Sequence, residues 1–155
     1  MKVNSFIFFV FIVGLTMLSL IACRKDKSCT ESNISASGES RSHNFGQNCF
    51  SCHVSGGEGE GCFNVAGSVT DGSFTTHVTS GIVKFFTQPN GGGQLKYSIS
   101  IDAKGNFFTT ESIDLNGLFP AVTGPTGVTN YMSTSPATGA CNSCHGVSTS
   151  KLWAK

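Results

Sequence analysis

Two pentapeptides constrain this chain more than any other feature: Cys49-Phe50-Ser51-Cys52-His53 and Cys141-Asn142-Ser143-Cys144-His145. Each reads C-x-x-C-H, and together they take up four of the 7 Cys and two of the 4 His. At this composition about 0.008 chance matches to the pattern are expected, and two are present. The spacing suits covalent attachment of haem c. Two thiols three positions apart add across the two vinyl groups of one porphyrin, and the His that follows reaches the iron from one face. Cys49, Cys52, Cys141 and Cys144 are therefore the expected attachment points for two haem c groups, with His53 and His145 as the expected proximal iron ligands.

Two other chemistries use the same thiols. A pair of C-x-x-C units is also the ligand set of a Cys₄ zinc site, although such a site has no need of the His that follows each pair. C-x-x-C units also form structural or redox disulfides, typically in a βαβ setting that nothing near either motif suggests.

The other His and Met residues are candidates for the far side of each iron. His43 precedes Cys49 by six residues in a loop-like run, and His77 lies within Ser73–Thr79, which reads as a strand. Two such His match two vacant sixth positions, so bis-His ligation at both irons is the expectation. A solvent-facing role is the plain alternative for each. Met132, nine residues before Cys141, is the competing distal ligand at the second iron. Thioether ligation there would raise the potential relative to bis-His.

The amino terminus decides the compartment. Lys2 precedes an uninterrupted apolar run from Phe6 to Ala22, the pattern of a secretory signal. A retained membrane anchor is the rival, because 17 residues is the short end of the spanning range of about 17–25. The run ends in Leu20-Ile21-Ala22-Cys23, which resembles the lipobox of bacterial lipoproteins. That resemblance implies cleavage before Cys23, a diacylglyceryl group on its sulfur, and a lipid-anchored protein of the cell envelope. Arg24 stands where an inner-membrane retention signal would have Asp, which favours the outer membrane, on its periplasmic side or at the cell surface. Outside the cytoplasm idle thiols pair, and the two remaining cysteines, Cys29 and Cys62, are the expected disulfide. Residues 24–42 are polar with no hydrophobic period and read as a flexible tether.

Between the motifs lie residues 54–140, a stretch of short strand patterns broken by turn signals. Leu95, Tyr97, Ile99 and Ile101 alternate with Lys96, Ser98, Ser100 and Asp102, the period of a half-buried strand. Residues 63–69, 82–87, 107–112 and 118–122 supply further candidates. Pro89-Asn90-Gly91-Gly92-Gly93 and Ala103-Lys104-Gly105-Asn106 supply turns. Such spacing suggests an all-β sandwich or barrel. Ala66-Gly67-Ser68-Val69, Gly81-Ile82-Val83-Lys84-Phe85-Phe86 and Ser100–Phe107 resemble small transthyretin-like or carboxypeptidase-regulatory-like sandwiches over about 60 residues. That resemblance implies a scaffold and no activity. The expected fold is mainly β with little helix: a small β-sandwich flanked by two haem-binding loop segments. The expected organisation is a lipoprotein signal peptide at 1–22, a tether at 23–42 and one dihaem domain at 43–155, with haem segments 43–62 and 123–148. Residues 123–138 are expected to be an irregular strap, and Tyr131, Phe50 and Trp153 to pack against haem.

Charge narrows the function classes. Only 12% of residues are charged, with 10 Lys+Arg against 9 Asp+Glu, so there is no basic surface for nucleic acid. The expected function is electron transfer without bond chemistry, and hence no enzyme activity. Partners would be redox proteins or extracellular electron acceptors, with the membrane engaged through the N-terminal lipid. The alternatives are a haem enzyme or gas sensor with one open iron position, and a zinc- or disulfide-stapled surface adhesion domain without haem.

Overall fold

The computed structural model describes residues 29–155. The apolar run, the Lys2 flank and Cys23 lie outside the described residues. Six short strands follow in chain order: β1 (Val65–Ser68), β2 (Gly81–Phe86), β3 (Leu95–Ile101), β4 (Asn106–Thr109), β5 (Phe119–Thr123) and β6 (Thr129–Tyr131). They form two antiparallel sheets, a two-stranded β1–β4 ribbon and a four-stranded sheet in the order β3-β2-β5-β6. The fold is thus mainly β, a small two-layer sandwich. Helix among the described residues is confined to 3-10 turns at Cys49–Ser51, Pro89–Gly91 and Cys141–Ser143. None of it is long and apolar enough to cross a membrane.

Turn chemistry sets the connections. Asn90 (φ 57°) and Gly91 (φ 75°) adopt the left-handed conformation that turns β2 into β3, one that Asn and Gly tolerate best. Between β3 and β4, Asp102 Oδ1 accepts from the backbone N–H groups of Lys104 (2.8 Å) and Asn106 (3.0 Å). One hydrophobic cluster joins the layers, with Val83, Phe85, Ile99, Ile101 and Val122 from the larger sheet packed against Val65 and Phe107 of the ribbon.

The structure departs from the sequence reading in four places. The apolar face of β3 is covered only at its C-terminal end: Ile99 and Ile101 are buried, while Leu95 and Tyr97 are 51% and 37% exposed. A ribbon of four-residue strands is too short to cover all of β3. Residues 73–79 form turns and bends rather than a strand, tied to the sheet region by a single Thr70–His77 bridge. The strap after residue 123 contains β6, which pairs with Ala121–Thr123 of β5. The expected tether is docked from Cys29 onward: Cys29 is disulfide-bonded to Cys62, with Cα atoms 4.9 Å apart. Ser35 Oγ donates to the Ser100 carbonyl (2.6 Å) and accepts from the Phe108 N–H (3.0 Å). Short polar side chains, rather than a hydrophobic stripe, hold this segment against β4, so it shows no periodicity.

Candidate functional site

The two C-x-x-C-H motifs fold into the same local structure. In the first, the backbone N–H groups of Cys52 and His53 both donate to the Cys49 carbonyl (3.2 and 3.0 Å). In the second, Cys144 and His145 donate to the Cys141 carbonyl (3.3 and 3.0 Å). The Ser inside each motif closes the turn from outside, Ser51 Oγ donating to the Asn48 carbonyl (2.7 Å) and Ser143 Oγ to the Ala140 carbonyl (2.6 Å). Two turns 92 positions apart thus share one hydrogen-bond pattern, and all four thiols are free.

Each His is oriented by a carbonyl. His53 Nδ1 lies 2.9 Å from the Glu60 carbonyl oxygen, and His145 Nδ1 lies 2.9 Å from that of Ser150. A carbonyl only accepts, so in both rings Nδ1 is the donor, and a neutral imidazole held this way presents the lone pair of Nε2. Metal-ligating His are commonly held in this way. Burial, reinforced by the neighbouring His43, lowers the His53 pKa from its ordinary value, which favours the same neutral imidazole.

The His53 ring is also clamped by packing. It stacks on Phe63 at 4.0 Å between centroids and 8° between planes, and Phe63 stacks in turn on Phe108 of β4 at 4.8 Å and 17°. On Gly59 a Cβ atom would fall 2.6 Å from His53 Nδ1, so the loop passes the ring more closely than any other residue allows.

Each motif opens onto its own cavity. Cys49, Cys52, His53, His43, Phe63 and Phe108 line one of about 490 Å³. Cys141, Cys144, His145, Met132, Phe107 and Trp153 line another of about 640 Å³. Both volumes lie in the ordinary range for cofactor sites, about 300–1,000 Å³. In the first cavity the His43 and His53 ring centroids are 5.9 Å apart. Two imidazoles bound at about 2.0 Å to opposite sides of one metal ion have centroids about 6 Å apart.

The structure does not bring every candidate to a site. His77 lines neither cavity; its ring packs on Phe45 at 5.5 Å. Met132 does line the second cavity, together with Tyr131 and Trp153. Phe50 packs with Cys49 against Phe63, Ala66 and Phe108 rather than lining the first cavity. Among the described residues no three His, Cys, Asp or Glu side chains gather as a metal-ion site. The four motif thiols are therefore not gathered as one set.

Sequence reasoning missed a buried polar network between the two sites. Ser68 Oγ donates to Asn106 Oδ1 (2.6 Å) and accepts from the Gly46 N–H (2.9 Å), while the Ser68 N–H donates to Asn142 Oδ1 (2.7 Å). Asn106 Nδ2 donates to Ser42 Oγ (2.8 Å). The loop carrying His43 and the second motif's Asn142 are thus tied through one strand residue. The variable positions of a C-x-x-C-H motif carry no pattern that would single out Asn142.

No family model, curated protein or solved structure matches this chain.

Proposed function

We propose that this chain is an electron-transfer protein of the cell envelope that carries two covalently bound haem c groups. One observation carries the reading. Both C-x-x-C-H motifs form the same turn, open onto a cavity of cofactor size, and hold their His by a carbonyl at Nδ1 so that Nε2 is free. Cys49 and Cys52 would hold one haem with His53 as proximal ligand, and Cys141 and Cys144 the other with His145. Haem would supply reversible one-electron chemistry at iron; the chain would attach it through the cysteines and orient the His rings toward it. In the first cavity His43 would join His53 in holding the iron. In the second cavity Met132 takes precedence over His77, because Met132 lines it and His77 does not. Cys23 would bear the lipid that keeps the protein at the membrane, and the partners would be redox proteins or extracellular acceptors.

The placement of His77 also favours a second reading, in which the second iron keeps an open position and the protein is a haem enzyme or gas sensor. Haem staining on a denaturing gel and a haem-to-protein ratio test the first reading, with two haems per chain expected and one after Cys141→Ala with Cys144→Ala. No covalently retained haem, after export through a competent maturation system, refutes it. Carbon monoxide binding by the reduced protein separates the readings: no spectral response supports pure transfer, and a response from one haem supports the second.

A further inference from the structure

The β1–β4 ribbon stands between the two cavities, and its alternation divides them. Val65 and Phe107 line the cavity of Cys141, whereas Phe108 lines that of Cys49. Successive side chains of a strand point to opposite faces, so one thin ribbon serves both sites. The first cysteines of the two motifs lie against successive residues of β1 and their neighbours. Cys49 packs against the cluster formed by Phe63, Phe108 and Ala66. On Gly67, the next residue, a Cβ atom would fall 2.9 Å from Cys141 Cβ and 2.6 Å from Phe107 Cζ. Glycine is therefore what lets Cys141 approach the strand backbone. Two hydrogen bonds fix that approach, from the Ala66 N–H to the Gly139 carbonyl (2.9 Å) and from the Ser68 N–H to Asn142 Oδ1 (2.7 Å).

We propose that Ala66 and Gly67 form a partition one strand thick, which holds Cys49 and Cys141 close together and makes the two attached haems an electronically coupled pair. The proposal rests on the dihaem reading. A thioether places the porphyrin ring two bonds from the cysteine sulfur, so haems held by Cys49 and Cys141 would be attached on the two sides of this strand. Held this way by Cys49 and Cys141, the two groups would supply a balanced one-electron exchange between their irons, with no atom transferred. Cys49 lies close enough to act on the Cys141 thiol in the polypeptide itself. After burial, the charge of Cys49 is the next cause that pushes the Cys141 thiol up to about 12.

The test uses the mature protein with its haem content measured first. Circular dichroism in the Soret region is expected to show a couplet of opposite signs crossing zero near the absorption maximum. Electron paramagnetic resonance of the fully oxidised protein is expected to show broadened, interacting ferric signals that sharpen on half-reduction; this second measurement needs no variant. Absence of covalent haem would refute the dihaem reading itself. Two haems per chain, with single-signed Soret bands and ferric signals unchanged on half-reduction, would overturn the coupled pair and leave the dihaem reading standing.

Discussion

The His53 ring lies flat on Phe63, with centroids 4.0 Å apart and planes 8° from parallel. The same ring is bonded at Nδ1 to the Glu60 carbonyl and passed closely by Gly59. Three contacts from residues within ten positions of His53 therefore fix its rotation and its tautomer, and the glycine-rich loop 56–61 exists in the form that permits them. An exposed His would have to be ordered by the cofactor; this one is ordered by the chain.

Gly59→Ala is expected to disturb that order without touching a thiol. Its methyl group would need the space 2.6 Å from His53 Nδ1, well inside van der Waals contact. The haem-to-protein ratio should stay at two, while the low-spin signal of one haem shifts or converts in part to high spin. An electron paramagnetic resonance spectrum identical to that of the unmodified protein would show that the ring is not set by this loop.

Gly67→Val is expected to act at the other site. Its side chain would meet Phe107 and Cys141 together, and overpacking of this kind costs about 1–3 kcal/mol. A thermal melt should fall accordingly, and the spectrum of the haem on Cys141 and Cys144 should change more than that of its neighbour. Equal change in both would mean that Gly67 serves the ribbon as a whole rather than Cys141.

The Cys29–Cys62 disulfide closes a loop with a sequence separation of 33 that contains the first motif. Closing a loop of this length restricts the unfolded chain by about 3–4 kcal/mol on the chain-entropy model. Cys29→Ser with Cys62→Ser should lower the denaturant midpoint and steepen the slope, because the uncrosslinked denatured chain exposes more surface. Local consequences should concentrate in residues 29–39, whose contacts with β4 rest on isolated hydrogen bonds such as those of Ser35. Proteolysis that begins elsewhere would contradict this.

Much of the fold was legible because β-strands announce themselves locally. The alternation at 95–101, the Pro-Asn-Gly turn and the Asp102–Asn106 turn each carry their own signal, and all three occur. What failed was non-local. Whether Leu95 is covered depends on how long the facing ribbon is, and whether His77 reaches a cavity depends on how residues 70–80 pack; neither property is written near those residues. The site divides in the same way. The C-x-x-C-H motifs were readable because their pattern is contiguous in the chain. Phe63, Gly59 and Asn142 were not, since stacking, close approach and a buried amide bond require only that the chain returns to the right place. A count matching two spare His to two sixth positions treated supply as if it were geometry, and the structure brings His43, and not His77, beside the His of a C-x-x-C-H motif.

Axial ligation turns this contrast into a direct experiment. His43 and His53 share one cavity with centroids 5.9 Å apart, Met132 shares the other with His145, and His77 sits against Phe45. His43→Ala is expected to open one iron, seen as carbon monoxide binding by half of the haem in the reduced protein. Met132→Leu is expected to open the other and to remove any sulfur-to-iron band from the oxidised spectrum. Because thioether ligation raises a haem potential relative to a second imidazole, the haem lost from the high-potential wave should be the one affected by Met132→Leu. His77→Ala should leave both spectra and both potentials unchanged. If it is instead His77→Ala that opens the second iron while Met132→Leu is silent, residues 70–80 must rearrange when the cofactor binds, and the bis-His arrangement at both irons holds in place of the mixed one.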